Sequence, residues 1–364
     1  MKPYKPESLP PADINWEMHI PAIGKAHAAL SRYDEILSSN THPTVLLSPM
    51  NTQEAVLSSR IEGTQATLEE VLQFEADSHV AIEPSKEADI HEIINYRTAM
   101  GTAVERLKKL PLCLNLLKEL HAILLDSVRG RNRAPGEFRR VQNFIGPPGS
   151  TIDTATFVPP SVDLLKPALY EWEKYCHADE KDRLVQLAIV KAQFELIHPF
   201  LDGNGRLGRM LVPLFLYEKG LLSSPRFYMS AYLEANRDLY YERLKAISRD
   251  GDWNGWIGFF LSAVAEQAAL NIEKARKVNA LYRRMIIIAV EATHSQFTHS
   301  AIDCIFDRPV FLSSEFVQRS GIPKSSAARI ISILKNMGCL TVSREGSGRK
   351  ATIYSFKELL EITG

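Results

Sequence analysis

The chain reads as mainly α-helical, with one β-hairpin near its middle and a small helix-and-hairpin unit at its C-terminal end. Three observations lead there. Apolar residues recur at helical spacing over most of the 364 residues. Beyond about Thr52, Gly and Pro are sparse until the stretch around Arg129 and then crowd residues 129–160. From Ser313 onward, two short helical patterns are followed by two β-prone runs around a glycine-rich loop.

Residues 1–20 carry Pro6-Glu7-Ser8-Leu9-Pro10-Pro11 and read as an extended arm, followed by a helix from Pro21 to Leu37. Asn51-Thr52-Gln53-Glu54 resembles a capping box, which predicts a helix from about Thr52 to Glu62. Gly63 stands where such a helix stops, and Thr67-Leu68-Glu69-Glu70 caps the next. Glu62 then falls in a last helical turn, where the helix dipole disfavours a negative charge, so a nearby cation is expected. Ser58, four residues earlier on the same face, could hydrogen-bond the loop that it packs against. Helices follow over 88–107 and 113–128. In 129–160, Phe138-Arg139-Arg140-Val141 and Thr156-Phe157-Val158 are the β-prone arms of a loose hairpin. Leu184 to Ile197 forms a buried helix that Pro199 should end at His198. A second helix restarts near Arg206. Asn236 precedes a helix with Tyr240, Tyr241 and Leu244 and reads by default as its cap. Trp253, Trp256, Phe259 and Phe260 sit at helical spacing as core, and 265–293 is a long helix bridging two domains. Ser313 to Ser320 and Pro323 to about Met337 then form a helix-turn-helix. Leu340-Thr341-Val342 and Thr352-Ile353-Tyr354 flank a loop, and the whole reads as a winged helix.

The segment His198-Pro199-Phe200-Leu201-Asp202-Gly203-Asn204-Gly205-Arg206-Leu207-Gly208-Arg209 gathers one histidine, one carboxylate, three glycines and two arginines. A glycine-rich turn feeding a helix start offers free amides to an anion. Arg206 and Arg209, three apart, suit a polyphosphate. Asp202 would repel a bare phosphate but would hold Mg²⁺ beside one. His198 has the intrinsic pKa of a general base. Together these residues point to transfer of a phosphorus-centred group onto a hydroxyl. No Gly-Lys-Ser/Thr follows the glycines, so this is not a Walker loop.

His198 to Arg209 resembles the Fic family signature, His-Pro-Phe-x-Asp-Gly-Asn-Gly-Arg-x-x-Arg, without departure. The resemblance implies a Fic-type helical core with a hairpin flap. It also implies an adenylyltransferase that moves AMP from ATP onto a Ser, Thr or Tyr hydroxyl of a target protein and releases pyrophosphate, with auto-adenylylation. It makes His198 the base and Asp202 the Mg²⁺ ligand. The stretch Gly203, Asn204, Gly205, Arg206, Leu207, Gly208 and Arg209 becomes the phosphate site, and Asn236 a contact near the adenosine. Ser58-x-x-x-Glu62-Gly63 resembles the inhibitory motif of one class of the family, in which the glutamate pairs with the second motif arginine, here Arg209. The flap would pair with the backbone of the target around its acceptor hydroxyl. Dimers are common in the family, which leaves a homodimer open.

The expected division is 1–95, an N-terminal segment with the inhibitory helix; 96–275, the catalytic core; and 276–364, the bridging helix and winged helix. The chain carries 43 basic and 43 acidic side chains. This balance supplies no global pull toward nucleic acid or membrane. Lys324, Arg329, Lys335, Arg344, Arg349 and Lys350 nevertheless give the C-terminal unit basic character. Bound to DNA, its helix from Pro323 would enter the major groove and Arg349 would reach from the wing; the same fold also docks proteins. The alternative function is therefore a DNA-binding transcriptional regulator whose core senses nucleotide. Four scattered cysteines, no signal-like start and no apolar run long enough to span a bilayer read as a cytoplasmic protein with no membrane partner.

Overall fold

The computed structural model describes residues 2–39, 46–77, 82–126, 131–147, 149–346 and 351–364. Two helices frame it: α1 (Trp16–Ser39) lies along α11 (Trp253–Thr293), which runs unbroken for 41 residues. Between them in sequence come α2 (Ser48–Ile61), α3 (Leu68–Ala76), α4 (Pro84–Leu107), α5 (Leu114–Leu124), α6 (Val162–Cys176), α7 (Arg183–Ile197), α8 (Asn204–Glu218), α9 (Ser230–Ala235) and α10 (Arg237–Asp250). Helices α7 and α8 pack against each other at the centre. Nearly every residue of α7 is buried, among Trp172, Trp256, Phe194, Phe200 and Phe215. Trp253, Trp256, Phe259 and Phe260 belong to this core.

Several boundaries differ from the sequence reading. Helix α1 starts at Trp16, because the Asn15 Oδ1 accepts the Met18 amide and supplies a cap. Pro21 therefore lies inside the helix, not in its first turn, and leaves the Glu17 carbonyl without its i→i+4 amide. Helix α2 starts at Ser48, with Pro49 in its first turn. Asn51 is thus inside the helix and not its cap; its Oδ1 accepts from the Tyr228 hydroxyl (2.6 Å). The Thr67–Glu70 capping box forms as read, with both reciprocal bonds. The hairpin is displaced. Phe138–Val141 is not a strand; the backbone pairing joins Ile145 to Phe157 as an isolated antiparallel bridge. Arg139, the centre of the expected first arm, is buried and bonds inward instead.

The C-terminal unit has its own core, built on the second half of α11 (Val278, Leu281, Met285, Ala289). Helix α12 (Thr298–Asp307) leads to strand β1 (Val310–Leu312), then α13 (Ser313–Ser320), α14 (Lys324–Asn336), β2 (Thr341–Arg344), β3 (Ile353–Ser355) and α15 (Lys357–Thr363). The three antiparallel strands are ordered β1-β3-β2, with Phe311 opposite Tyr354 and a bulge between Val342 and Arg344. Strand β1, only three residues after Pro309, was too short to read from the pattern. The expected wing tip, with Arg349 and Lys350, lies outside the described residues. Helix α4 passes through residue 95 and α11 through residue 275 without interruption. Among the described residues, no helix is long and apolar enough to cross a membrane.

This unit rests on α2 and α3. Leu68 and Leu72 form a small buried cluster with Val310 and Ile353. Arg344 pairs with Asp77, the C-cap of α3, and the Gln53 amide of α2 donates to the Gly364 carbonyl (3.3 Å). Leu72→Ala should destabilise the chain by about 2 kcal/mol or more, the lower end for a buried leucine. The check is urea unfolding combined with proteolytic release of the C-terminal unit. An unchanged midpoint and proteolysis pattern would mean that α11 alone holds the unit.

Candidate active site

Helix α7 delivers His198 to the site. Asp182 caps the helix, its Oδ1 accepting from the Leu184 and Val185 amides (2.9 and 3.0 Å). At the other end His198 is the cap residue, in left-handed conformation at φ 49°, ψ 61°. A non-glycine residue is strained there, and the following proline restricts it further. Arg139 holds it. The Arg139 Nε donates to the His198 carbonyl (3.0 Å) and its amide to the Pro199 carbonyl (2.9 Å). The His198 Nδ1 faces the Glu195 carbonyl at 3.3 Å, which leaves Nε2 as the unprotonated nitrogen of a neutral ring. Burial pulls the imidazole below its usual value, so that the ring is neutral at pH 7.

The loop after His198 is braced from below. Asn204 Oδ1 accepts the Phe200 amide and its Nδ2 donates to the Phe200 carbonyl, both at 2.9 Å. Asn143 Nδ2 donates to the same carbonyl (3.1 Å). His121 stacks on the Phe200 ring at 3.8 Å. Its Nδ1 accepts from the Gly136 amide, and its Nε2 donates to the Asp202 carbonyl (3.1 Å). Burial pushes this imidazole down to about 4, so it acts as a fixed neutral strut. Asp202 accepts the Gly203 amide on Oδ1 (2.6 Å), and its side chain is 47% exposed. Gly203 turns at φ +74°, and helix α8 begins at Asn204. The first amides of α8 have no intrahelical partner, which makes this helix start a candidate anion site.

The two arginines diverge. Arg206 Nη1 donates to Glu92 of α4 (2.9 Å), with Asp202 3.7 Å from Nη2. Arg209 is fully buried. Its Nε donates to Ser58 Oγ (2.9 Å), and its Nη2 donates to the Ser58 carbonyl (2.9 Å) and to Glu62 Oε1 (2.6 Å). Ser58 thus meets the arginine and not a loop. Glu62 is the C-cap of α2, followed by Gly63 at φ +108°. Burial pushes its carboxyl up, but Arg209, helped by Arg206 and His198, overrides this and holds the carboxyl below its usual value. The carboxylate lies directly over Gly205, where an added Cβ would come within 2.2 Å of Oε1. A glutamate at the unfavourable end of α2 is therefore answered by the favourable end of α8 and by Arg209.

A cavity of about 760 Å³ opens beside these groups. Glu62, His198, Gly205 and Arg209 line one side. Phe144, Ile145, Gly146, Thr156 and Phe157 of the hairpin form another, and α10 closes it with Arg237, Asp238, Tyr240, Tyr241 and Lys245. Other expected contacts lie elsewhere. The Asn204 side chain is spent on the loop. Leu207 is buried in the core, and Gly208 backs onto Glu195, where a Cβ would lie 2.7 Å from its Oε1. Helix geometry thus turns the Leu207 side chain into the core and Gly208 toward α7. Asn236 precedes α10 without making a side-chain cap, and its Nδ2 donates back to the Tyr232 carbonyl (2.9 Å). Sequence reasoning missed His121, Arg139, Asn143 and Glu92, because each acts from a distant segment. A second cleft, of about 630 Å³, lies across α2 between α4 and residues 223–228 and contains none of the motif residues.

Two family models match the chain: Fic/DOC family N-terminal over residues 20–105 and Fic/DOC family over residues 111–216. Proteins named protein adenylyltransferase Fic from Drosophila ananassae and Drosophila grimshawi are 27% and 28% identical over 207 residues. The match covers 55% of this chain and 37% and 38% of those proteins, so the chain spans well under half the length of these relatives. Among solved structures, a Fic family protein from Desulfovibrio desulfuricans G20 superposes with a TM-score of 0.58 at 17% identity, over 98% of both chains. Fic-1 (residues 134–508) from C. elegans gives 0.52 at 19% identity, over 72% of this chain and 74% of that one. At such identities the likeness is one of fold. With its motif, cavity and fold in agreement, the chain carries the domains of the Fic/DOC family over residues 20–105 and 111–216.

Proposed function

We propose that this chain is an autoinhibited protein adenylyltransferase, which transfers AMP from ATP to a Ser, Thr or Tyr hydroxyl of a target protein, or of itself, and releases pyrophosphate. The observation that carries the reading is the capture of Arg209 by Ser58 and Glu62 at the mouth of a cavity that also holds His198. The Glu62 carboxylate is an anion seated where the α8 amides and Arg209 converge. A phosphate group of ATP suits the same place once Glu62 withdraws.

The roles follow from position. The amides of Gly203, Asn204 and Gly205, with Arg206 and Arg209, would hold the phosphates, and α10 with Asn236 would border the nucleoside. Neutral His198, with Nε2 open, takes the acceptor proton as the hydroxyl attacks the α-phosphorus and pyrophosphate departs. Mg²⁺ needs one or two carboxylates, the rest of its shell coming from phosphate and water. Asp202, half-exposed just before Gly203 and the start of α8, fits as that single anchor. When bound there, the ion would neutralise phosphate charge. The hairpin leaves Phe144, Ile145 and Ile152 exposed, which suits pairing with an extended target segment.

The division into inhibitory segment, core and C-terminal module, at 1–95, 96–275 and 276–364, serves this reading. The module, with α13 and α14 as a helix pair and β2–β3 as a hairpin, reads as a winged helix. A regulator that binds DNA through it is the second reading, supported by exposed Lys324 and Lys335. It is weakened by Arg344, which is turned inward onto Asp77, and by Arg329, which donates to the Thr293 carbonyl. A nucleotide sensor would also have no use for the placement of His198. A gel shift on promoter DNA separates the two readings.

Three outcomes are expected with α-labelled ATP and Mg²⁺. Glu62→Gly frees Arg209 from a charge-assisted bond worth about 1.5–3 kcal/mol, so labelling should rise roughly 10–100-fold; equal labelling of wild type and variant sinks the inhibitory role. His198→Ala in that background should lower labelling by about 10²–10⁴-fold with ATP affinity nearly unchanged, as measured by calorimetry. Arg139→Ala should lower both labelling and stability, by about 1–3 kcal/mol for the latter, because it strands the carbonyls of His198 and Pro160. Full activity and an unchanged melting curve would show that the strained residue needs no brace.

A further inference from the structure

The hairpin that walls the active cavity is too slight to hold itself. Its pairing is one antiparallel bridge between Ile145 and Phe157. The Phe157 carbonyl accepts the Ile145 amide (2.8 Å), and the Phe157 amide donates to the Ile145 carbonyl (3.1 Å). Two-stranded ribbons are marginal in water even when much longer. The next carbonyl along, that of Val158, finds its donor on a distant segment: it accepts the Tyr4 amide (2.8 Å). The half-buried Tyr4 ring lies 5.9 Å from the Phe157 ring, tilted by 49°.

Tyr4 belongs to the arm before α1, which precedes the residues matched by either family model. Three residues on, Glu7 Oε2 accepts from the Trp253 indole Nε1 (3.0 Å). Its Oε1 would lie 4.0 Å from a Cβ on Gly251, the C-cap of α10. Further along, the Asp13 carbonyl accepts from Asn254 Nδ2 and the Asn15 amide donates to Asn254 Oδ1, both at 2.8 Å. Leu9 and Ile14 pack on the core between these bonds. The arm forms neither helix nor strand, yet it is tied along its length.

The two anchors fall on opposite walls of one cavity. Phe157 lines it from the hairpin, and α10 lines it from the other side with Arg237, Tyr241, Lys245 and Ser248. Gly251 and Trp253 form the corner at which α10 ends and α11 begins. The inner supports of the hairpin act elsewhere. Gln142 Nε2 donates to the Pro159 carbonyl (2.9 Å) and Arg139 to the Pro160 carbonyl, which fixes the base of the hairpin and not Phe157. Glu7 is exposed, so its bond to the indole matters less for burial than for where it places Tyr4.

We propose that Tyr4 and Glu7 are positioning residues: the arm splints the hairpin against the α10–α11 corner and so sets how far Phe157 stands from α10. The inference rests on the reading of this cavity as the ATP site. With the span held, the cavity meets its ligand preformed. Without it, binding must also order the hairpin, and that cost is read as lost affinity and not as slower chemistry.

The test uses the full chain carrying Glu62→Gly, with α-labelled ATP and Mg²⁺ and labelling of the chain itself as the readout. Tyr4→Ala removes the ring, Tyr4→Phe keeps it, and Glu7→Ala cuts the tie to Trp253 at an exposed site, where folding is least disturbed. The KM for ATP should rise about 2–10-fold in Tyr4→Ala, in line with the loss of one aromatic pair. It should rise in Glu7→Ala as well. In both, kcat should stay within about twofold, and Tyr4→Phe should keep the parent values. Hydrogen exchange without nucleotide, read by mass spectrometry, should be faster in peptides containing Ile145 or Phe157 for Tyr4→Ala and Glu7→Ala, and unchanged for Tyr4→Phe. An unmoved KM in the folded variants overturns the proposal, as does an equal loss in Tyr4→Phe or unaltered exchange in the hairpin. No labelling by the parent chain would refute the enzymatic reading instead, while the exchange data would still decide whether the arm holds the hairpin.

Discussion

Arg209 is a guanidinium with almost no access to water, and such a charge is tolerated only when it is paired and hydrogen-bonded. Its Nε and Nη2 bonds go to two residues one turn apart on a single helix. This fixes the register of α2 against α8: Ser58 must lie beside the arginine stem and Glu62 at its head. It also limits what can displace Glu62. Simple withdrawal would leave a buried charge without a partner, so the replacement must bring its own negative charge to the same place. A phosphate group would, so that on the proposed function inhibition and substrate binding become competing answers to one electrostatic demand. Gly205 allows either answer, since any side chain there would fill the space in which the carboxylate oxygen lies.

Around this contact the molecule divides its polar residues into those that hold the loop and those that face the cavity. His121, Arg139, Asn143 and Asn204 satisfy carbonyls and amides of the segment from His198 to Asp202. A loop so tied can keep His198 in a left-handed conformation. The neutral state of His121 belongs to the same logic, because a charged imidazole below the loop would compete with Arg206 for Asp202.

Helix α2 does not meet Arg209 in isolation. Asn51 is bound by Tyr228, Glu54 accepts from both the amide and the hydroxyl of Ser230, and Gln53 reaches the Gly364 carbonyl. Burial drives the Glu54 carboxyl above its usual value despite the bonds from Ser230. Through α3 the same segment carries the C-terminal sheet, by way of Leu68, Leu72 and the Asp77–Arg344 pair. Helix α11 passes from one core to the other, so the two units share a rigid element as well as this contact.

Much of this was legible from local chemistry. The helical class, the break at His198-Pro199, the Thr67–Glu70 box and the helix pair near the C-terminal end depend on spacing, proline and capping, all of which act within a few residues. The conflict of Glu62 with its helix dipole was also legible and called for a cation, which the family resemblance, not the local pattern, named as Arg209. Tertiary structure decided the remainder. That Ser58 serves Arg209 too, that Arg206 turns to Glu92, and that Arg139 becomes a strut and not a strand residue are consequences of segments far apart in sequence coming into contact. So is the burial of Asn204 in its own loop. A residue type sets which bonds a side chain can form; only packing sets which partner lies within 3 Å of it and whether water is excluded from the pair.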